Sequence, residues 1–307
     1  MTRFIIMRLI QSFIALIGIS ILIFILVRAS GDPTDLFRTS LSTEEDIQRI
    51  RVRLGLDKPL YEQYWVFLSG MFQGDLGESI VKERPVTDMI LERLPNTLRL
   101  AVSSFVISMV AAFLLGVLGA TRRDTWLDNG VKFVAILGQA LPGFWVAIMA
   151  ILLFSVYWQV LPPYGAGGID HYILPVFTMA FFLLPGMMRL VRSSMLDVLD
   201  SEYIKLARIK GLPERVVIWK HALRNALIAP LTTAGMIFAM LITGAVITEN
   251  VFGWAGIGRL SIEALVSRDF PVIQGITLMV AVVVLLVNLL VDILYAYVDP
   301  RIRYQRT

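Results

Sequence analysis

Apolar residues in this chain fall in blocks rather than along a single amphipathic face. A bilayer core of roughly 30 Å needs about 20 helical residues to cross it. Six blocks meet or approach that length with little or no charge: residues 9–27, 100–120, a stretch within 133–169, the shorter 172–188, 226–248 and 270–298. Asp292 alone interrupts the last of them. The first block predicts a retained helix and not a cleaved leader, because it is too long and Val27-Arg28-Ala29 is a poor small-residue cleavage site. The pattern therefore predicts an all-α, polytopic membrane protein with six transmembrane helices.

Two polar segments between the blocks are too long to be simple turns. Residues 30–97 form an insert between the first and second spans. In it, Ser42-Thr43-Glu44-Glu45 reads as a capping box. The helix that follows carries Ile47, Ile50 and Leu54 on one face and stops at Gly55. Pro59 opens a second helix with Leu60, Tyr64, Phe67, Leu68 and Met71 as a stripe, and a third amphipathic piece runs from about Pro85 to Leu94. A structural lid and a docking surface for a partner both fit this pattern. The second long segment, residues 189–225, predicts a helix–Gly–helix unit. Asp200 caps a helix through Lys210, Gly211 takes a left-handed position, and Leu212-Pro213 restarts the chain as helix. The domain division is then residues 1–29 for the N-terminal end and first span, 30–97 for the insert, 98–300 for the core with spans two to six, and 301–307 for a tail.

Composition agrees: 57% of residues are hydrophobic and 17% charged, against about 45–50% and a quarter in soluble domains. The distribution of lysine and arginine predicts that both termini lie in the cytoplasm. Arg3, Arg8, Arg122, Arg123, Lys132, eight cations from Arg189 to Arg224, and Arg301, Arg303 and Arg306 then fall inside. Most of them are read as topogenic. Absence of cysteine excludes disulfides and thiolate chemistry, and His171 and His221 make no metal cluster. No P-loop, nucleophile elbow or His-Glu-x-x-His sequence occurs. The chain is read as having no catalytic site, no cofactor and no metal of its own.

Polar and proline residues within the spans are candidates for lining a cavity or passage through the membrane. Prolines predict breaks at Leu141-Pro142-Gly143 and Leu184-Pro185-Gly186, and such kinks favour cavity-lining positions. Pro142, Phe144, Trp145 and Pro185 are pathway or gate candidates, together with Glu249, Phe252 and Trp254 in a Gly-rich stretch that is either re-entrant or a plain outer loop. Asn288 and Asp292 share a helix face. An intramembrane acid is a functional candidate by default, and an inter-helix bond, a substrate contact and ion coupling all remain open for Asp292.

The stretch Glu202-Tyr203-Ile204-Lys205-Leu206-Ala207-Arg208-Ile209-Lys210-Gly211-Leu212, followed by His221-Ala222-Leu223-Arg224-Asn225, resembles the cytoplasmic loop of permease subunits from ATP-binding-cassette importers. More narrowly, the chain is similar to the dipeptide, oligopeptide and nickel permease family. Leu54-Gly55-Leu56-Asp57-Lys58-Pro59, Gly74-Asp75-Leu76-Gly77-Glu78-Ser79, Leu94-Pro95-Asn96-Thr97, Glu249-Asn250-Val251-Phe252, Gly256-Ile257-Gly258-Arg259-Leu260, Arg268-Asp269-Phe270-Pro271, Asn288-Leu289-Leu290-Val291-Asp292 and Asp299-Pro300-Arg301 carry the likeness in order. The resemblance implies a type I importer permease fold with a coupling helix that seats in a cleft of an ATPase subunit. It assigns Lys205, Leu206, Ala207, Gly211, Leu212, His221, Leu223 and Asn225 to that contact. The broader pattern has Glu-Ala-Ala where this chain has Lys205-Leu206-Ala207. It further implies a related second permease, two ATPase subunits holding ATP and magnesium, an extracytoplasmic binding protein and a prokaryotic inner membrane. Peptides are the expected cargo; nickel chelates, glutathione and oligosaccharides are alternatives within the class. A secondary transporter driven by an ion gradient is the rival from another class, and no internal repeat supports it.

Overall fold

The computed structural model describes residues 2–31, 34, 43–53 and 55–298. These form twelve helices and, among the described residues, no strand beyond one isolated bridge between Glu78 and Pro85. In order they are α1 (Thr2–Ala29), α2 (Glu44–Arg53), α3 (Leu60–Gln73), α4 (Val86–Thr121), α5 (Trp126–Ala140), α6 (Gly143–Tyr157), α7 (Ile169–Leu199), α8 (Glu202–Ile209), α9 (Glu214–Ala226), α10 (Ile228–Val251), α11 (Ile257–Val266) and α12 (Phe270–Val298). Residues 151–157 of α6 and 217–222 of α9 are wound as wider π-turns. Four helices, α1, α4, α7 and α12, are each long and apolar enough to cross a membrane. The pairs α5–α6 and α9–α10, bent by 101° and 51°, bring the number of spans to six if each pair is one.

Local signals explain several helix ends. Gly55 and Gly74 end α2 and α3 in left-handed backbone, with φ of +65° and +78°, which glycine adopts without a Cβ penalty. Three expectations need correction. The piece from Pro85 to Leu94 is not a separate helix: it runs on through Pro95 as the start of α4. Pro185 likewise does not break its span, since α7 continues through both Pro175 and Pro185. Of the two breaks predicted within spans, the bias that proline imposes on its predecessor produces one only at Leu141, which is extended (φ −91°, ψ 125°) and divides α5 from α6. Finally, Ser201 rather than Asp200 precedes α8, and its hydroxyl bonds back to the Val198 carbonyl at 2.5 Å. Ser42 of the capping box, Leu54 and Asp299-Pro300-Arg301 lie outside the described residues.

The chain divides into two compact units, residues 1–96 with 255–286, and residues 97–254 with 287 onward. In the first unit the Phe24 ring on α1 meets Tyr64 edge-on at 5.4 Å and Phe67 at 6.0 Å on α3. Val86, Met89 and Ile90 form a core with Ile257, Leu260, Val272 and Ile276. Gly275 permits that approach, because a Cβ there would lie 2.5 Å from Val86. Asp269 is buried and ties two distant segments of sequence together. Its carboxylate accepts from the Ser79 hydroxyl and from the Ile80 and Val81 amides at 3.1 and 3.4 Å.

Glu263 on α11 faces three cations: Lys82 at 3.1 Å, Arg93 at 3.5 Å and Arg259 at 3.1 Å. Burial pushes its carboxyl up, but Lys82, Arg93 and Arg259 together outweigh burial and hold it below its ordinary value. A carboxyl depressed in the fold stabilises it above the unfolded pKa of about 4.3, and that contribution is lost as pH falls through the lower folded value. The melting temperature of the purified chain is therefore expected to fall on acidification below about pH 4. Glu263→Gln should flatten that limb. An unchanged acid limb in the variant would show that this cluster does not report on folding.

Candidate functional site

The loop that joins α7 to α10 is a rigid bend rather than a tether. Gly211 has φ +76° and lies between α8 and α9. The Gly211 amide bonds to the Arg208 carbonyl at 2.9 Å and the Leu212 amide to the Ala207 carbonyl at 3.3 Å, which closes the end of α8. Across the bend, Arg208 grips Glu214 with both Nε and Nη2, at 3.2 and 2.8 Å. Asn225 closes the other side, donating to the Tyr203 hydroxyl at 2.9 Å and to the His221 carbonyl at 3.1 Å. Both contacts are exposed, so each contributes little to stability, on the order of 0–1 kcal/mol. Their effect is on shape.

Each of the two helices has an inner and an outer face. Ile204 and Ala207 of α8 and Val217 and Ala222 of α9 are buried in one continuous core with Met187, Met188, Val191, Met195 and Leu199 of α7. Leu206, Ile209, Leu212 and Trp219 stand exposed. Among the residues assigned to an ATPase contact, Ala207 is buried, His221 and Leu223 are half-buried, and Lys205, Leu206, Gly211, Leu212 and Asn225 lie at the surface. Lys205 is paired with Glu202 on its own helix at 2.8 Å.

The root of this loop holds a group that periodicity did not reveal. Asp128 on α5 is fully buried and accepts four hydrogen bonds. Arg192 of α7 supplies two, Nε to Oδ1 at 2.7 Å and Nη2 to Oδ2 at 2.9 Å. Lys132 Nζ and the Asp124 amide add contacts to Oδ2 at 2.8 and 3.1 Å. Asp124 takes a positive φ of 60° to aim that amide. Gly119 of α4 leaves the necessary room, since a Cβ there would lie 3.4 Å from Asp128 Oδ1 and 3.3 Å from Arg192 Cδ. Breaking a fully buried pair costs about 3–5 kcal/mol; this one costs less, because Arg192 is a fifth exposed and Lys132 remains beside Asp128. Lys132, read as topogenic, is thus half of a structural contact. The i,i+4 spacing of Asp128 and Lys132 was the available signal; Arg192 is 64 residues away in sequence.

Glu249, Phe252 and Trp254 come together at the end of α10. Phe252 packs against Ala147 and Ala150 of α6 and Leu174 of α7. Trp254 sits among Leu100, Ala101, Val176, Met179, Leu241 and Ala245, with the Tyr172 ring edge-on at 4.5 Å. Glu249 is fully buried, accepts from the Thr97 hydroxyl at 2.6 Å, and receives the Trp254 amide on its carbonyl at 2.8 Å. Gly253, between the two aromatics, has φ +60° and is covered by the Tyr164 ring. The Gly165 amide bonds to the Phe252 carbonyl at 2.9 Å and holds that loop in place. Phe252 and Trp254 thus tuck into the unit as an apolar plug.

The other pathway candidates do not join it. Pro142, Phe144 and Trp145 are exposed, Pro185 is buried, Asn288 is exposed and Asp292 half-buried. Pro185 packs on Gly138 of α5 rather than opening a cavity. No group of three or more potential metal ligands exists among the described residues.

Two family profiles match nearly end to end. The one described as "Binding-protein-dependent transport system inner membrane component" matches residues 112–304, and its N-terminal companion matches residues 1–101. A putative peptide transport system permease protein of Brucella abortus is 41% identical over 313 residues, covering 99% of this chain and 100% of that protein. The oligopeptide transport system permease protein AppB of Bacillus subtilis is 40% identical, covering 99% and 100%. The glutathione transport system permease protein GsiC of Escherichia coli K12 is 39% identical over the same shares. Among solved structures, a chain of the MetNI methionine ABC transporter superposes with a TM-score of 0.60 at 16% identity, over 69% of this chain and 96% of that one. An amino acid ABC transporter chain gives 0.55 at 15% identity, over 69% and 94%. The all-helical spans, the bent loop and these matches agree: the chain belongs to the family of binding-protein-dependent transport system inner membrane components, the membrane-spanning permease subunits of ATP-binding-cassette importers.

Proposed function

We propose that this permease forms half of a translocation pathway whose other half is a second, related permease, and that the α8–α9 bend is the lever by which two cytoplasmic ATPase subunits move it. The observation that carries this reading is the two-faced loop: one face continuous with the core of α7, the other presenting Leu206, Ile209, Leu212 and Trp219 outward. A rigid bend with an apolar outer face suits insertion into a cleft of another protein. In this reading the loop and both termini are cytoplasmic, and the insert faces an extracytoplasmic binding protein that delivers the solute. ATP and magnesium are held by the ATPases; this chain supplies pathway and lever but no catalysis. The names of its relatives point to a peptide-like cargo, glutathione included; nickel chelates and oligosaccharides are the alternatives within the class. Alternation between inward-open and outward-open states then follows from ATPase closure acting on the lever.

Gly211→Val tests the lever. No neighbour lies within 4 Å of the Cβ position, so steric collision does not block folding. The φ of +76° is the obstacle, because an L-residue there costs about 1–2 kcal/mol and a β-branched one more. The expected result in reconstituted vesicles is an assembled complex that hydrolyses ATP yet imports at most about a tenth as much solute, as a strain of that size in the bend allows. Normal import would reject Gly211 as part of the lever.

A further inference from the structure

A lever is useful only if the helices behind it follow. α5 runs antiparallel to α7 and packs along it, with Val131 and Ala135 in the shared core, between the Asp128–Arg192 pair at one end and the seat of Gly138 on Pro185 at the other. Arg192 lies about 12 Å of helix rise before Asp200, where α7 ends and the lever begins. Beyond Gly138, α5 ends at the 101° break, and α6 continues from there to Ala147 and Ala150 against Phe252. A continuous chain of packed elements thus links the lever to α6 and Phe252 through α7 and α5, beside the direct contact of α7 with Phe252 at Leu174.

The ion pair is an unusual choice for that position. Its surroundings are apolar, with Val131, Met188 and Val191 all buried alongside. A pair of aliphatic side chains would hold two helices there without the desolvation of two charges. Aliphatic contacts slide, however, whereas a two-pronged guanidinium–carboxylate contact has one geometry. Lys132 and the Asp124 amide fix the carboxylate from the α5 side, so Arg192 meets a target that cannot rotate.

We infer that Asp128 and Arg192 are positioning residues for coupling: their buried fork makes α5 follow α7 when the lever moves, so that motion at α8 arrives at α6 and Phe252. This rests on the lever reading above, and the test separates the two. The chain has no cysteine, so nitroxides can be placed at Trp126→Cys on α5 and Asp197→Cys on α7, both exposed. Their separation is read by electron paramagnetic resonance in the reconstituted complex, nucleotide-free and ATP-trapped, alongside solute imported per ATP hydrolysed.

The wild-type pair of labels should keep one narrow spacing in both states. Asp128→Asn should broaden it and lower import per ATP by at least about fivefold, a coupling loss of ordinary size for linked sites. Arg192→Lys keeps the charge but loses the fork, and should fall between the two. A narrow spacing and wild-type import per ATP in Asp128→Asn would overturn the inference. If that variant fails to assemble, Arg192→Lys decides on the same readouts. Should the wild-type complex show no ATP-dependent import, the lever reading fails while the spacing still judges the fork.

Discussion

Replacing Gly253 with alanine is expected to impair both the stability and the transport activity of this permease, and Tyr164→Ala in the same chain is expected to recover much of the loss. Two separate terms act at this position. The backbone is left-handed, φ +60°, which costs an L-residue about 1–2 kcal/mol. In addition, the new Cβ would fall 2.2 Å from two atoms of the Tyr164 ring and 2.6 Å from a third. Overpacking of that kind costs about 1–3 kcal/mol. The ring is partly exposed and can swing out, but its neighbour Gly165 is bonded to the Phe252 carbonyl and resists. The plug should therefore loosen around Phe252 and Trp254. Removing the Tyr164 ring relieves the collision and leaves the φ strain. A double-mutant cycle on melting temperature and on uptake measures this directly, with an expected coupling of about 1–3 kcal/mol. Strict additivity would mean that the ring does not cover Gly253.

Much of the architecture was legible because membrane helices announce themselves locally. Six apolar blocks, five of them free of charge, and Gly55, Gly74 and Gly211 each carry their own physical reason within a few residues of sequence. The bend was legible for the same reason, since it depends on one glycine, but its two faces were not: the neighbours Leu206 and Ala207 divide between them, the first exposed and the second buried. What stayed hidden depends on partners far away in sequence. Asp128 and Arg192 are 64 residues apart, and Thr97 and Glu249 are 152 apart. Asp269 reads as one letter of a motif until its carboxylate is found capping residues 79–81. Pro185 misleads for a related reason. A proline in a span predicts a break from its own chemistry, yet α7 persists through Pro185, whose buried ring is seated on Gly138. At Pro142 no such continuation occurs, and the following Gly143 starts a new helix at a steep angle.

That seat gives the second large effect. Gly138→Val should separate α5 from α7, whereas Gly130→Ala, on the same helix, should stabilise the chain. A Cβ at Gly138 would stand 2.3 Å from Pro185 Cγ and 3.5 Å from the Phe181 carbonyl. Unlike the Tyr164 ring, the buried pyrrolidine cannot turn aside, so the helices themselves must part. Close approach of helices through small residues is the main source of their attraction in a bilayer, where lipid removes the hydrophobic drive. Valine at Gly138 is therefore expected to cost about 3 kcal/mol or more, the upper end of overpacking. Gly130 is exposed and has nothing within 4 Å of its Cβ position. There alanine gains about 0.5–1 kcal/mol of helix preference with no contact to disturb. The contrast removes propensity as an explanation, since both positions exchange glycine for a better helix former or a bulkier one in the same segment. Thermal unfolding of the purified chain in detergent, with accumulation in the membrane as a second readout, should rank Gly130→Ala above wild type and Gly138→Val well below it. Equal melting temperatures for the two variants would refute the close crossing, and with it the fixed α5–α7 pair on which the lever's reach to α6 depends.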